Sequence, residues 1–390
     1  MSEWKEYKLG ELTIDGKGSY GIAAPAVDYD AAKYTYLRIT DINDDGTLNK
    51  NGLKSVDDKN APKYLLQPND IVFARTGASV GRSYFYDERD GELVYAGFLI
   101  KYSIDPLKVN PKILKFYTHS QAYYDWIQTV DNGATRGNIN AQTYASMPII
   151  LPERKEQDKI VSTLSSLDDK IDLLRRENAT LEAMAETLFR QWFVEEVKED
   201  WEEKPLGDVV KTTSGGTPSR KHTEYYEDGT IEWVKSKELD GTFISSTEEM
   251  ITKEAVANSS AKMLPEKSVL IAMYGATVGE FGILSKPMTC NQAVCALIPN
   301  KNYPYTYLYI WTALMKDEFI NLASGAAQQN ISQDLIKQQL VCSDTEKIMQ
   351  YDKLVRGYFD KMENNQKQIQ TLIQTRDGLL PRLMNNEIKI

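Results

Sequence analysis

A chain of 390 residues, 42% of them hydrophobic, is long enough to bury a sizeable core and to form more than one domain. Its formal charge of −10 and pI near 5.0 exclude a protein that grips phosphates over its whole surface, so unaided nucleic-acid binding should be weak and a partner must supply much of any backbone grip. The opening MSEWKEYKLG has no apolar signal core, no stretch approaches the ~20 apolar residues of a membrane span, and Cys290, Cys295 and Cys342 lack the CxxC spacing that holds zinc; a soluble, cytoplasmic chain with ordinary reduced thiols, no metal site and no membrane partner is expected.

The first segment, residues 1–152, reads as a mixed α/β head. Apolar runs at 71–74 and 98–102 predict short strands, and 111–124 predicts a helix. A glycine turn from Gly77 to Gly81 follows the first run. Lacking the lysine and Ser/Thr of a phosphate-binding loop, it reads as a tight structural turn rather than a nucleotide site. Reading bases requires side chains with paired donors and acceptors on loops that reach a groove. The candidates in this head are Arg75, Thr76, Ser79 and Arg82 around the turn, then Arg136, Asn138 and Asn140; for each one alone, a solvated loop or a local turn hydrogen bond is the competing reading.

Residues 153–199 form the first spacer helix. From Ile160 the apolar positions step by four and three through Leu164, Leu167, Ile171 and Leu174, skip polar Asn178, and resume at Leu181, Ala185, Leu188 and Trp192, a heptad seam. At ~40 residues such a helix would run about 60 Å, too long for the interior of one small domain, so a projecting coiled coil is expected rather than a core helix. Glu153-x-Lys155, the nearest approach to a nuclease-like fragment, stands at its start and reads as a charged first turn.

The second head, residues 200–344, repeats the α/β pattern, with strand-like runs at 269–273 and 293–297, a helical stretch at 305–320 and a glycine turn from Gly275 to Gly279. Its candidate readers are Tyr274 and Thr277, then Gln328, Gln329 and Asn330, with Lys235 and Lys237 as phosphate or base contacts. Residues 345–390 form a second spacer helix. Its seam, Val355, Phe359, Met362, Ile369, Ile373, Leu380 and Leu383, is interrupted by Gln366 and Arg376, so it wants a partner.

The two halves are an internal duplication with a period of about 195 residues. Trp4, Leu9 and Gly10 return as Trp201, Leu206 and Gly207, and Tyr36-Leu37-Arg38 returns as Trp233-Val234-Lys235. IVFARTGASVG at 71–81 becomes VLIAMYGATVG at 269–279, and Gly133, Asn138 and Ile139 become Gly325, Asn330 and Ile331. Only a handful of residues separate the first helix, ending near Glu196, from the second head at Trp201. At ~3.5 Å per residue they cannot span a helix length, so the two helices are expected to run antiparallel, giving a pseudo-twofold repeat of two heads on two coiled-coil helices.

Catalytic constellations are mostly missing. Two histidines, His119 and His222, lie in different heads, which argues against a His-based triad or a multi-histidine metal site. No NPPY-like or DPPY-like tetrapeptide, expected of a methyltransferase acting on an exocyclic base nitrogen, is present.

Across nearly the whole chain the text resembles the specificity subunits of type I restriction-modification enzymes. GGTPSR at 215–220, IEWVKSKEL at 231–239, YGATVG at 274–279 and NQAVCAL at 291–297 follow that family's order, and LFRQWF at 188–193 and LLPRLM at 379–384 are similar to its spacer endings. The first head departs from the pattern, with GKGSYG at 16–21 in place of a GGTP. The resemblance implies two target recognition domains, each reading one half of a split site in double-stranded DNA, on helices that set the gap and dock two modification subunits. It further implies a non-catalytic chain: S-adenosylmethionine and adenine methylation belong to the modification subunits, and ATP, magnesium, translocation and cleavage to restriction subunits. The readings that compete with it are a coiled-coil scaffold presenting two protein-binding modules without nucleic acid, favoured by net acidity, and an enzyme with one degenerate copy.

Overall fold

The computed structural model describes residues 4–131, 138–196, 202–324, 330–385 and 387–388. The chain divides into two compact units, Met1–Lys170 with Leu372–Ile390, and Ile171–Thr371.

In the first unit a four-stranded antiparallel sheet runs in the order Ser19–Tyr20, Leu99–Ser103, Asp70–Ala74, Ser83–Phe85. The strand Asp70–Ala74 is buried at every position, which explains why 71–74 form an unbroken apolar run instead of an alternation. Successive side chains point to opposite faces, and both faces are covered. Ile71 and Phe73 enter one core with Ile100, Tyr102, Tyr123 and Tyr144, while Val72 and Ala74 enter another with Leu37, Leu93 and Leu99. Asp70, almost fully buried, is compensated by Lys101 Nζ at 3.0 Å, Ser103 Oγ at 2.6 Å and the Gln67 N–H at 2.8 Å. A second sheet runs Ala26–Asp28, Lys54–Val56, Tyr34–Leu37, Leu93–Tyr95, its last pair parallel. The helix expected over 111–124 is two helices, Lys112–Tyr117 and Gln121–Asp131. Local hydrogen bonds end one and start the next: Thr118 Oγ1 donates to the Lys115 carbonyl, and Ser120 Oγ accepts from the Tyr123 N–H.

The second unit repeats the scheme. Its main sheet runs Lys211–Ser214, Val294–Ile298, Val269–Ala272, Phe281–Leu284, Phe243–Ile244, and a smaller one Met250–Ile251, Ile231–Val234, Thr289–Cys290. Val269 and Ile271 face a core with Tyr307, Ile310 and Phe319, while Leu270 and Ala272 face one with Val234, Leu284 and Cys290. Helix Tyr305–Ser324 forms where its sequence predicts one. Burial pushes the Cys290 and Cys295 thiols up to about 12, the behaviour of inert core cysteines.

Two long helices, Arg154–Arg190 and Thr345–Met384, contribute a segment to each unit, and within each unit their segments pack antiparallel. In the first unit Ile160 and Leu164 share a core with Leu380, Leu383 and Met384, and Asp168 lies between Lys115 at 2.5 Å and Arg376 at 3.0 Å. In the second unit Asn178 stands opposite Asn365, and Ala185 opposite Tyr351, whose Oη donates to the Ala185 carbonyl at 3.0 Å. Of the predicted seam, Leu164, Ile171, Leu174, Phe359, Met362, Ile369 and Leu380 are buried and Leu167, Leu181, Leu188 and Ile373 half-buried. Gln366, which interrupts the seam in the sequence, is half-buried, and the fully buried polar residue of the second helix is its neighbour Asn365. Among the described residues no helix is long and apolar enough to cross a membrane. Glu153 precedes the first long helix and its carbonyl accepts from Glu156 and Gln157, as a first-turn residue should.

Candidate nucleic-acid interface

Each head builds one loop corner from three chain segments, and the two corners share their main-chain bonds. Glycines with positive φ form the first segment: Gly77 (75°) and Gly81 (85°) in one head, Gly275 (69°) and Gly279 (83°) in the other. Gly81 N–H donates to the Ala74 carbonyl at 3.1 Å and Gly279 N–H to Ala272 at 3.0 Å, closing the hairpin; no atom lies within 4 Å of where a Cβ would stand on Gly77 or Gly275, so both loop tips face open space. The structural-turn reading of these glycines holds. The second segment joins through Ile139 N–H to the Arg75 carbonyl and Ile331 N–H to the Met273 carbonyl, both 2.9 Å, and it bridges Thr76 to Asn138 and Tyr274 to Asn330.

The third segment carries GKGSYG or GGTPSR. Although the texts differ, Gly21 N–H donates to Leu99 O and Gly215 N–H to Val294 O, each at 3.2 Å. A Cβ would stand 2.2 Å from Ala96 O at Gly21 and 2.1 Å from Cys290 O at Gly215, so only glycine fits either place. An aromatic residue then pins the next carbonyl: Tyr36 Oη donates to Ile22 O at 2.9 Å, and Trp233 Nε1 to Gly216 O at 3.0 Å.

At the first corner the structure gathers Arg75, Thr76, Asn138 and Asn140. The Arg75 guanidinium lies 4.9 Å from the Tyr20 ring centroid, and its Nε and Nη2 donate to Asn138 Oδ1 at 3.3 and 3.2 Å. Tyr20 Oη accepts the Ala141 N–H at 3.1 Å, and Asn140 Oδ1 caps the helix Ala141–Ala145 through the Thr143 N–H. Ser79 stays within the turn, its carbonyl accepting from Arg82 N–H. The Arg82 side chain turns to Asp44 at 2.6 Å and the Ile42 carbonyl at 3.1 Å, so it is spent on holding a neighbouring loop. Arg136 lies outside the described residues. Tyr20, 42% exposed, and Phe98, 60% exposed with its carbonyl accepting the Arg75 N–H, belong to this corner and are absent from the sequence candidates. Tyr20 sits 55 positions from Arg75, and nothing in the local text signals that the two meet.

At the second corner Tyr274 is 42% exposed, Thr277 Oγ1 donates to its carbonyl at 3.1 Å, and Asn330 pairs with it. The place of Arg75 is taken by Met273, buried in the core, and that of Tyr20 by Ser214, whose Oγ donates to Gln333 Oε1 at 2.9 Å. Gln328 and Gln329 lie outside the described residues. Lys235 and Lys237 are engaged elsewhere, Lys235 with Glu249 at 2.7 Å and Lys237 with Glu248 at 2.6 Å. Arg220 forks onto both Glu249 oxygens at 2.6 and 2.8 Å while stacking on Tyr226 at 4.1 Å. Hydrogen bonds from Arg220 and then Lys235 hold the Glu249 carboxyl down at about 2.

Among the described residues no group of three or more histidine, cysteine or acidic side chains could hold a metal ion. The family described as the type I restriction modification DNA specificity domain matches residues 1–183 and 198–341. The chain is 25% identical to the type I restriction enzyme HindI specificity subunit of Haemophilus influenzae over the whole of both chains. It is 25% identical to the MjaIX specificity subunit of Methanocaldococcus jannaschii, across 68% of this chain and 66% of that one. The crystal structure of the type I restriction-modification S subunit from M. genitalium shares the fold, with a TM-score of 0.56 at 16% identity over 98% of this chain and 96% of that one. Matched in two copies over most of its length, the chain belongs to the type I restriction-modification DNA specificity family.

Proposed function

We infer that this chain, a type I specificity subunit whose role is DNA target recognition, reads a bipartite duplex site with one half-site per head and performs no chemistry itself. Residues 1–152 and 200–344 serve as target recognition domains and 153–199 and 345–390 as spacers that dock two modification subunits, with restriction subunits joining that complex. The observation that carries the reading is the pair of corners: the same main-chain bonds, made twice, display Arg75, Thr76, Asn138 and Asn140 in one head and Tyr274, Thr277 and Asn330 in the other. Two similar frames with different exposed side chains are what reading two different half-sites requires. Net acidity fits a protein whose partners wrap the phosphates.

The test is to exchange residues 201–344 for those of another family member, co-express the chain with its modification subunits, and map genomic methylation. One half-site should change and the other persist. Both halves changing together would refute the assignment of one half-site to each head, and salt-controlled binding that is tight and sequence-specific without the modification subunits would refute the shared grip. A protein-only scaffold has nothing beyond acidity in its favour, and it predicts no methylation dependent on this chain.

A further inference from the structure

We propose that Arg75 reads a guanine in the major groove of the half-site bound by the first head, with Tyr20 and Asn138 as the residues that position it. The proposal rests on the DNA-reading role inferred above and names the base.

Charge sets Arg75 apart. Among the described arginines of the two heads, Arg38, Arg82, Arg89 and Arg220 each hold a carboxylate, with contacts to Asp41, Asp44, Asp87 and Glu249 of 2.5–2.6 Å. Arg75 alone is held by neutral groups, the Tyr20 ring and the Asn138 amide oxygen. In a chain of net charge −10 this is a positive charge kept un-neutralised and fixed in place.

Its orientation is also defined. Nε and Nη2 turn toward Asn138, and Nη1 has no partner among the described residues, so the Nη1/Nη2 end of the fork is open to a ligand. The Tyr20 ring on one side and the two bonds to Asn138 Oδ1 hold the guanidinium in place. A fixed planar fork matches two acceptors side by side in one plane, which in duplex DNA are guanine O6 and N7. A phosphate can accept such a fork too, but a lysine also binds it as a point charge, so a phosphate contact does not require the plane to be fixed. Phe98, exposed beside this site, supplies an apolar surface suited to a base edge and unsuited to a phosphate.

The duplicated head lacks this arrangement. Met273 occupies the equivalent place in the second head and is buried, so that head has no such fork and its corner presents Tyr274 instead. The two half-sites should therefore differ at the corresponding base pair.

The experiment uses the chain with its modification subunits in cells, reading the methylated motif by sequencing, and then the purified complex on duplexes carrying that motif. The half-site unaffected by exchanging residues 201–344 should contain a G·C pair. Arg75→Ala and Arg75→Lys should both relax that pair, lowering discrimination about 10- to 100-fold, and leave the other half-site intact, which also reports that the variants fold. Replacing the guanine with 7-deazaguanine should weaken wild-type binding and leave Arg75→Ala indifferent. Tyr20→Phe, keeping the ring, should retain the 7-deazaguanine effect, and Tyr20→Ala should lose most of it. The proposal is overturned if this half-site has no G·C pair, or if Arg75→Ala weakens all sequences equally with a shallower salt dependence while Arg75→Lys restores binding, the signature of a phosphate contact. If wild type supports no motif at all, the DNA-reading role fails, and this proposal with it.

Discussion

Asn365 donates to Asn178 Oδ1 at 2.9 Å across the two long helices, and its second amide hydrogen goes to Glu177 Oε2, also at 2.9 Å. The side chain is fully buried and among the described residues its own Oδ1 has no partner, while Asn178 Nδ2 donates back across the helices to the Met362 carbonyl at 3.4 Å. Replacing Asn178 with Ala removes an acceptor from a buried donor and should cost about 1–3 kcal/mol in urea denaturation. Changing both asparagines to Leu should recover most of that loss, because an apolar layer needs no partners. A double variant less stable than the single would show that the amides contribute more than they cost.

Glycines at the two corners should separate sharply by what surrounds them. Gly21→Ala and Gly215→Ala drive a methyl group into a backbone carbonyl, so the corner must open, and the affected half-site should vanish from the methylated motif. Gly77→Ala meets no atom and carries only the left-handed backbone cost of about 1–2 kcal/mol. Equal effects at Gly21 and Gly77, measured by thermal denaturation, would rule out this account of the corner.

The Arg220–Glu249–Lys235 group should make the second head acid-sensitive in a defined window. With the Glu249 carboxyl held at about 2 against an ordinary 4.5, the folded state favours its ionised form. The stabilisation is therefore complete above about pH 4.5 and is lost as pH falls toward 2. Glu249→Gln should be modestly less stable than wild type at pH 7 and 6, modest because Arg220 is solvent-exposed, with the gap narrowing at pH 3. Urea midpoints at these pH values check it, and a gap that does not narrow would contradict the assignment.

Asp168 presents the buried counterpart. Burial alone would raise its pKa, yet Lys115 and Arg376 together outweigh that and hold it below the ordinary value. Asp168→Ala removes the carboxylate shared by Lys115 and Arg376, leaving Arg376 only Asp377, and should cost about 3 kcal/mol, whereas Lys115→Ala leaves the Asp168–Arg376 pair and should cost less. The reverse order in denaturation experiments would mean that packing of the Lys115 stem dominates.

What the sequence disclosed follows from the range of the forces involved. The heptad seam was readable because Leu164, Ile171, Leu174, Phe359 and Met362 act through a local period, and the doubled glycine turn because it needs particular residues at fixed spacing. The burial of Asn365 was hidden because its partners, Glu177 and Asn178, stand far away in the chain on the other long helix. Strand pairings such as Tyr34–Leu37 with Leu93–Tyr95 were hidden, since short strands declare their burial but not their neighbours. At the corner, residue type alone could not tell Arg75, which is open, from Arg82, which is tied to Asp44. Tyr20 was hidden for the same reason: its importance comes entirely from a residue far away in the chain.

The bonds that build each corner run from peptide to peptide: Ile139 to Arg75, Gly21 to Leu99, Gly81 to Ala74. A frame of this kind is indifferent to spelling. Positions 20, 75, 76, 98 and 138 could be randomised together while Gly21, Gly81 and the doubly buried strand Asp70–Ala74 are left alone, and most members of such a library should still fold. The internal copy has already run one trial of it, substituting methionine for Arg75 and serine for Tyr20 without losing a hydrogen bond of the frame. New target sequences should thus be reachable by a few letter changes in one head, with the spacers and the partner half left untouched.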